Sequence, residues 1–527
     1  PYAVFVRDAS GAPVAGISVA WTVVSGGGSL SAISSANPVG EATALHTLGT
    51  IAGPQTVQAA VTGATGSPVT FTSTALAAAP ASLVKAAGDA QTAGASQPLP
   101  VPLGVLVRDA HGNPTPGRPV AWARVAGSGT LAASQTATDA TGIARVGYTL
   151  GTAGTDTVSA ALVGSVLPPV RFTATAAAQP TLVAQVPIPA SYGIHDTFVR
   201  DGLAFVSAWN TGIMIFDVGN GIRGGSPASP QLVSTTPTAG GQAHNAWWFH
   251  NPNTSEKKYL FVGQEGPGAI GSSSSGDIHV LDVTSLVNPV EVATYHLNGA
   301  GTHNFWIDEQ AQILYAAYYN AGVVALDVSG TLPANLASRE LWRLPPGGAG
   351  NTYTWGVQLY NGSVYAIDML SGLWQLRATA PAGVLAGGNN VPERYGSDLW
   401  VHGGYAYTGT WGFRSASGNA VKIWQLDAGG APTLVDSIVQ PGVSTVSDIE
   451  VSADGTLLIF SAYGSQAGLH VYALTNPARP TFVARALVAA GLHTATLGMI
   501  GGRLYVFAAK DPPNPALMIY DVTGLVP

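Results

Sequence analysis

The sequence predicts an all-β protein built from two kinds of repeated unit, and three observations indicate this. Only 9% of the 527 residues are charged, whereas 66 are glycine and 36 are proline. Short apolar stretches alternate with these turn-forming residues along the chain, which is typical of many short strands joined by tight turns. Two different repeat periods also divide the chain, one before and one after about residue 180.

Composition excludes several classes of function. Apolar residues make up 46% of the chain, which is too many for a disordered protein, and the net charge of −7 offers no basic surface for nucleic acid. The absence of cysteine excludes disulfides and thiolate metal sites. No apolar run is long enough for a transmembrane segment, and no signal peptide is recognisable.

The N-terminal part contains two copies of one pattern. FVRDASGAPVAGISVAWTVVSGGGSL at residues 5–30 is echoed by LVRDAHGNPTPGRPVAWARVAGSGTL at residues 106–131. Strands with alternating apolar residues follow in each copy, which predicts two β-sandwiches, one over residues 1–80 and one over 81–178. Both copies resemble bacterial Ig-like domains of the Big-1 type, the stacked modules of invasin- and intimin-like adhesins. That resemblance implies rigid spacers that hold a tip away from the cell surface.

The two copies differ at their first strand. Residues 81–102 supply this strand to the second copy, and the first copy has no equivalent segment. A sandwich without one edge strand leaves backbone groups unpaired. Two explanations stay open: the strand is truncated or disordered, or another chain supplies it by β-augmentation and links subunits head to tail.

The second period consists of units of about 50 residues, each reading as three strands and a fourth strand after a proline. Aligned on the turn before the first strand, seven positions are equivalent: His195, His244, His303, Trp355, Ser397, Ser447 and His493. Four-stranded units with this period predict a seven-bladed β-propeller over residues 179–527. The last unit has only three strands, so we expect the strand at 180–188 to complete it and close the ring.

A short motif recurs in the third strand of several units, as in IFDV at residues 215–218 and IYDV at residues 519–522. The motif resembles the LVIVD repeat of bacterial and archaeal surface proteins, a family defined by its repeat and not by a reaction. The resemblance implies an extracellular or cell-surface location. The aspartates of the motif are expected to cap turns between strands: Asp217, Asp282, Asp327 and Asp521.

Four consecutive units begin their inner strand with a histidine: His195, His244, His303 and His493. Neutral imidazoles that converge on the propeller axis can bind Fe, Cu or Zn. The residues after the first three could orient the rings or contact a ligand: Asp196, Asn245 and Asn304. The other interpretation is structural, because Ser397 takes the same position and serine replaces histidine in a hydrogen bond but poorly as a metal ligand. The sequence favours the structural interpretation, with no cofactor, and keeps an axial transition metal as the alternative.

A second set of equivalent positions follows the second strand of each unit. Four of these positions are aromatic: Trp209, Tyr319, Trp411 and Tyr463. The remaining three are Glu265, Met369 and Ala509. Aromatic rings around the mouth of a propeller can bind sugars or peptides, or they can fill the contacts between blades.

Together these features predict a non-enzymatic extracellular or cell-surface protein. Its expected role is adhesion, scaffolding or self-assembly into a surface layer or filament, with the propeller face as the contact surface. The expected partners are copies of itself, other surface proteins or glycans. The alternative is a metal-dependent oxidoreductase that uses the axial histidines.

Overall fold

The computed structural model describes residues 1–33, 35–151, 154–189, 193–267, 276–412, 415–426 and 431–526. These ranges contain 44 β-strands, no α-helix, and two short 3-10 helices at Leu336–Arg339 and Thr523–Leu525. No helix in them is long and apolar enough to cross a membrane. The chain divides into two compact units, Pro1–Ala177 and Ala178–Pro527.

The first half of the N-terminal unit consists of six strands: β1 (Tyr2–Phe5), β2 (Ala20–Ser25), β3 (Gly28–Ile33), β4 (Glu41–Leu48), β5 (Gly53–Ala60) and β6 (Val69–Ala75). They form two three-stranded sheets, in the orders β1-β4-β3 and β2-β5-β6. Val19, Ala42 and Ala59 are buried between the sheets, and Trp21 packs against them. This small core follows from the alternation of apolar and polar residues, which gives each strand one buried face.

The second half has ten strands: β7 (Pro80–Ala87), β8 (Gln91–Gly94), β9 (Leu103–Asp109), β10 (Pro119–Ala126), β11 (Thr130–Leu131), β12 (Gln135–Ala137), β13 (Ile143–Val146), β14 (Tyr148–Thr149), β15 (Gly154–Leu162) and β16 (Val170–Ala177). The larger sheets have the orders β13-β9-β7 and β12-β10-β15-β16-β8, and β11 pairs with β14. Trp122 and Phe172 lie in the buried core between them. Here β7 pairs with β9 and β8 with β16, so the segment before β9 contributes to both larger sheets.

The C-terminal unit consists of seven four-stranded antiparallel sheets within the described ranges. Sheet 1 is formed by β18 (Asp196–Arg200), β19 (Leu203–Ser207), β20 (Ile213–Asp217) and β21 (Gln231–Thr236). Sheet 2 is formed by β22 (Ala243–Trp248), β23 (Tyr259–Gln264), β24 (Ile278–Asp282) and β25 (Val290–Tyr295). Sheet 3 is formed by β26 (Phe305–Asp308), β27 (Ile313–Ala317), β28 (Val323–Asp327) and β29 (Glu340–Leu344). Sheet 4 is formed by β30 (Thr354–Tyr360), β31 (Ser363–Asp368), β32 (Gly372–Arg377) and β33 (Val384–Gly387). Sheet 5 is formed by β34 (Tyr395–His402), β35 (Tyr405–Trp411), β36 (Ala420–Gln425) and β37 (Thr433–Val439). Sheet 6 is formed by β38 (Val443–Val451), β39 (Leu457–Gly464), β40 (Gly468–Ala473) and β41 (Thr481–Leu487). Sheet 7 is formed by β17 (Thr181–Pro187), β42 (Leu492–Ile500), β43 (Arg503–Lys510) and β44 (Ala516–Asp521).

The seven sheets form a closed ring. The innermost strand of each sheet contacts that of the next sheet, and β42 of sheet 7 contacts β18 of sheet 1. In sheet 7, β17 pairs antiparallel with β44, from Thr181 opposite Asp521 to Pro187 opposite Ala516. This is the strand pairing that the repeat count predicts at residues 180–188. A ring of four-stranded sheets around a central channel is typical of β-propellers.

The core of the ring lies between neighbouring sheets. The middle strands β19 and β20 are buried along their whole length, whereas the outer strand β21 is mostly exposed. Full burial of one such Val, Ile or Phe side chain contributes about 1.5–3 kcal/mol. Because both faces of the middle strands meet a neighbouring sheet, each of these two strands is apolar over its first four residues, at 203–206 and 213–216.

The repeated aspartates cap turns, as the sequence predicts. The carboxylate of Asp217 accepts backbone N–H groups from five residues of the following loop, including Gly219 and Arg223. Asp282, Asp327 and Asp521 each accept the N–H of the residue two positions later. Their oxygens are therefore engaged in the turn that follows the third strand, which for Asp521 leads into the 3-10 helix Thr523–Leu525.

Candidate functional site

The four sequence-predicted histidines meet at one end of the channel. We call His195, His244, His303 and His493 the histidine cluster. Its rings form a row, with centroid separations of 4.3 Å between His493 and His195, 5.2 Å between His195 and His244, and 4.0 Å between His244 and His303. The row follows the order of sheets 7, 1, 2 and 3 around the ring.

Backbone features of the inner strands hold these side chains at the channel mouth. The N–H of His195 donates to Ser207 O at 2.9 Å, and that of His303 donates to Ala317 O at 2.8 Å, so both residues are tied to the second strand of their sheet. His244 and His493 lie within β-bulges of β22 and β42. A bulge adds an unpaired residue and redirects its side chain.

Several imidazole nitrogens of the cluster are buried without a protein partner. His244 is only 2% exposed, and neither of its ring nitrogens has a hydrogen-bond partner among the described residues. His303 is 3% exposed and makes no hydrogen bond of good geometry there, but the Trp355 backbone and the Asn304 side chain lie near its ring and favour its protonated form. Within the same ranges, Nδ1 of His195 also lacks one. Leaving a buried polar group unsatisfied costs about 1–3 kcal/mol, so several such groups together favour a ligand over a packing role.

His493 is held differently from the other three. Its Nδ1 lies 2.7 Å from the Tyr463 hydroxyl, which in turn donates to the Asp511 carboxylate. Because the Tyr463 proton points to Asp511, the hydroxyl oxygen accepts from Nδ1–H. Nε2 of His493 is thus left unprotonated, which is the state that a metal ligand needs.

A carboxylate joins the cluster. Oε2 of Glu265 lies 3.8 Å from Nε2 of His195, and Oε1 accepts a hydrogen bond from the Tyr319 hydroxyl at 2.5 Å. The donor atoms form two groups of three, in each of which all atoms lie within 4.8 Å of one another. We call these groups the open set (His195, His244, His493) and the buried set (His244, Glu265, His303).

Burial determines the charge state of the cluster. It lowers the pKa of all four histidines, and the neighbouring imidazoles add to this effect at His195, His244 and His303. The rings are therefore neutral at neutral pH, the form that binds metal ions. Burial raises the pKa of Glu265 to about 6, against the opposing hydrogen bond from Tyr319.

The four aromatic residues of the second sequence-predicted set surround the cluster. The ring of Trp209 stacks on His195 at a centroid distance of 4.1 Å, and Trp411 lies 5.3 Å from Trp355, which itself packs on His303. Tyr463 bonds His493, as described above. Tyr319 is fully buried, so it cannot belong to an exposed aromatic platform. Its contact with Glu265 explains the burial, because the hydroxyl finds its acceptor inside the protein.

The polar residues that follow the histidines line the channel itself. Asp196, Asn245 and Asn304 border a cavity of about 220 Å³, together with Asp398 and Asp448. Nδ2 of Asn304 donates to Oδ1 of Asp398 at 2.8 Å. Burial raises the pKa of Asp196 to about 7, and it raises the pKa of Asp448, to which the adjacent Asp398 carboxylate contributes. The channel wall therefore carries several carboxyl groups that hold protons near neutral pH.

Two residues of the site were not assigned a role from the sequence. Glu265 occupies the position that is aromatic in four units, and its acidic side chain there is the one sequence feature that could have indicated a ligand. Asp511 lies on the loop between β43 and β44, outside the repeat pattern, and no sequence signal connected it to Tyr463.

Comparison with known proteins identifies the class of the second half of the N-terminal unit. Residues 85–182 match the family of bacterial Ig-like domains (group 1). The chain matches no curated protein. Among solved structures it is similar to the β-propeller domain of Cps50 (Swd1) from Myceliophteria thermophila, with 12% sequence identity and a TM-score of 0.46 over 65% of this chain and 100% of that one. The protein is thus an all-β chain that contains a bacterial Ig-like domain, a class typical of surface proteins.

Proposed function

We propose that this chain is a surface protein whose seven-bladed β-propeller binds a transition-metal ion through the histidine cluster. The observation that carries the proposal is a contrast at one strand position. Oγ of Ser397 donates to Val446 O of the neighbouring sheet at 2.6 Å, which is the structural role expected for this position. His244 holds the same position with no such bond among the described residues. This histidine therefore fills a different role, and unprotonated imidazole nitrogens suit Fe, Cu or Zn.

The side of the cluster near His195 and His493 supports a catalytic ion. A pocket of about 380 Å³ borders both histidines together with Trp411, Tyr463 and Asp511. Catalytic metal sites keep one position open for water or substrate, whereas structural sites are closed by protein ligands. This opening favours the second candidate function, a metal-dependent oxidoreductase, if the bound ion is Fe or Cu.

Metal analysis of the full chain tests the proposal. After chelation and reloading with Zn²⁺, Cu²⁺ or Fe²⁺, we expect at least one ion per chain to remain through gel filtration. The variant His244→Ala should lose it, because His244 belongs to both donor sets. His111→Ala, an exposed histidine of the N-terminal unit, is the matched control and should keep it. Wild-type protein that retains no ion would end the proposal.

The surface assignment rests on the Ig-like match at residues 85–182. We extend it to a second Ig-like domain over residues 1–80, to LVIVD repeats in the propeller, and to an extracellular or cell-surface location. Copies of the chain, other surface proteins and glycans are the proposed partners. In this arrangement the Ig-like domains display the propeller, whose face is the contact surface.

Self-assembly by strand addition has a specific observation in its favour. β9 pairs on both sides, with β7 and β13, whereas the corresponding strand β1 pairs only with β4 in the part of the chain that the structure describes. Val4, Phe5 and Val69 line a groove of about 210 Å³ beside it, and Phe5 is 56% exposed. We propose that residues 81–94 of another copy leave their own sandwich, where β7 pairs with β9 and β8 with β16, and pair with this edge instead.

A labelled peptide ASLVKAAGDAQTAG tests the edge directly. It should bind the full chain, while the same peptide with proline in place of its valine should not, because proline removes a backbone donor. Light scattering of the chain alone should show polymers that the peptide dissociates. A monomer that ignores the peptide would contradict strand addition and leave the metal proposal intact.

A further inference from the structure

The donors of the histidine cluster do not surround a single point. Ligand atoms of one ion lie about 2.0–2.2 Å from it, and hence within about 4.4 Å of each other. The four histidines do not form one such group, because His493 joins only the open set and His303 only the buried set. The row of rings is thus too long for one ion to contact all of it.

His244 is the only residue that belongs to both sets. Its Nδ1 and Nε2 are both buried, and neither has a hydrogen-bond partner in the described ranges. Both nitrogens are therefore free to coordinate, and the two sets can share His244 when each takes a different one. Neutral imidazole carries one N–H proton, so coordination through both nitrogens releases that proton to solvent and leaves an imidazolate between the two ions.

The two sets differ in charge and access. The buried set contains the Glu265 carboxylate, which Tyr319 orients through a hydrogen bond, and His303, which is only 3% exposed. The open set contains only imidazoles, borders the pocket at His195 and His493, and has one ring fixed by Tyr463. Each set offers three protein donors, which is typical of metal sites that keep one position open, but only the open set borders the pocket.

We infer that the cluster is a two-ion site, with one ion in the buried set, one in the open set, and His244 shared between them. The inference rests on the proposed metal-binding function and deepens it, because it assigns Glu265 as a ligand and distinguishes the roles of the two ions. Only the ion of the open set would meet a small molecule that enters from the pocket.

Copper loading of the full chain tests the inference. We expect two Cu²⁺ ions per chain by elemental analysis, and an electron paramagnetic resonance signal weaker than that of two isolated ions, because a shared imidazolate couples their spins. Glu265→Gln and His303→Ala should each retain one ion with an uncoupled signal. His493→Ala should also retain one, in the buried set. His111→Ala should keep both ions and the coupled signal.

The outcomes separate this inference from the proposal on which it rests. One ion per chain in the wild type, or two ions in Glu265→Gln, would overturn the two-ion site and leave metal binding in place. No ion in the wild type would end both. Gln is close to isosteric with Glu and still accepts from Tyr319, so this variant is expected to fold, and the wild-type stoichiometry decides even if His303→Ala does not fold.

Discussion

The two sides of the propeller channel use one strand position in opposite ways. On the side of sheet 5, Ser397 donates its hydroxyl to the next sheet and is fully satisfied by protein. On the side of sheet 2, His244 is buried at the same position without a hydrogen-bond partner among the described residues. In a repeated fold, the same serine-to-backbone hydrogen bond is available at every equivalent position. Where several neighbouring units depart from it and accept unsatisfied nitrogens, function is the better explanation.

The strongest test of this contrast converts one side into the other. His244→Ser removes the residue shared by both donor sets, so metal affinity should fall by at least about 100-fold. Metal-free protein should unfold at the same temperature or higher, because two unsatisfied buried nitrogens disappear and serine can bond the next sheet. Calorimetric titration with Zn²⁺ and thermal unfolding of the metal-free variant measure the two effects. A large loss of metal-free stability would show that His244 is structural after all.

A weaker effect is expected from the residue that orients His493. Tyr463→Phe keeps the ring but removes the hydroxyl between Nδ1 of His493 and Asp511. Loss of an orienting partner typically lowers metal affinity by about 10–100-fold. Only the ion of the open set should weaken, which copper titration of the variant can resolve. Tyr505→Phe, a tyrosine of sheet 7 outside the cluster, is the control.

The channel carboxyls predict a dependence of stability on pH. The raised pKa of Asp196, about 7, means that its folded state favours the protonated form, so stability is lost as the pH rises through 7. The lowered pKa values of the cluster histidines act in the opposite sense and remove stability below about pH 6.5. Between pH 6.5 and 8, ionisation of Asp196 should therefore lower the free energy of unfolding of the wild type by about 1 kcal/mol. Asp196→Asn should not show this part of the fall. Urea unfolding at the two pH values measures it, and equal declines in both proteins would refute it.

The smallest effect is expected on the serine side. Ser397→Ala removes one buried hydrogen bond and leaves Val446 O without that donor, at a cost of about 1 kcal/mol. Metal content should not change. Chemical unfolding measures the loss of stability, and elemental analysis of the same preparation measures the metal content. A changed metal content would contradict the distinction between a structural serine side and a metal-binding histidine side.

The repeat period explains why the row of histidines could be predicted from sequence. Equivalent positions in a closed ring converge on its axis, so spacing alone brings His195, His244 and His303 together. Glu265 could not be assigned as a ligand in the same way, because its contact with the cluster depends on the course of one loop after β23. The burial of Tyr319 could not be predicted from the repeat spacing either. It depends on how the Tyr319 ring packs against His303 and on the hydrogen bond from its hydroxyl to Glu265.

The pairing of β17 with β44 determines how the ring responds to mechanical load. Thr181, where the first strand of the ring begins, lies opposite Asp521, where its last strand ends. A pulling force between the two ends of this unit therefore acts on one end of the ladder, and it separates the hydrogen bonds in sequence and not all at once. Tension along the chain would therefore open the propeller at sheet 7, one hydrogen bond after another. A force applied to all the sheets from one face of the propeller would instead be resisted by the whole closed ring.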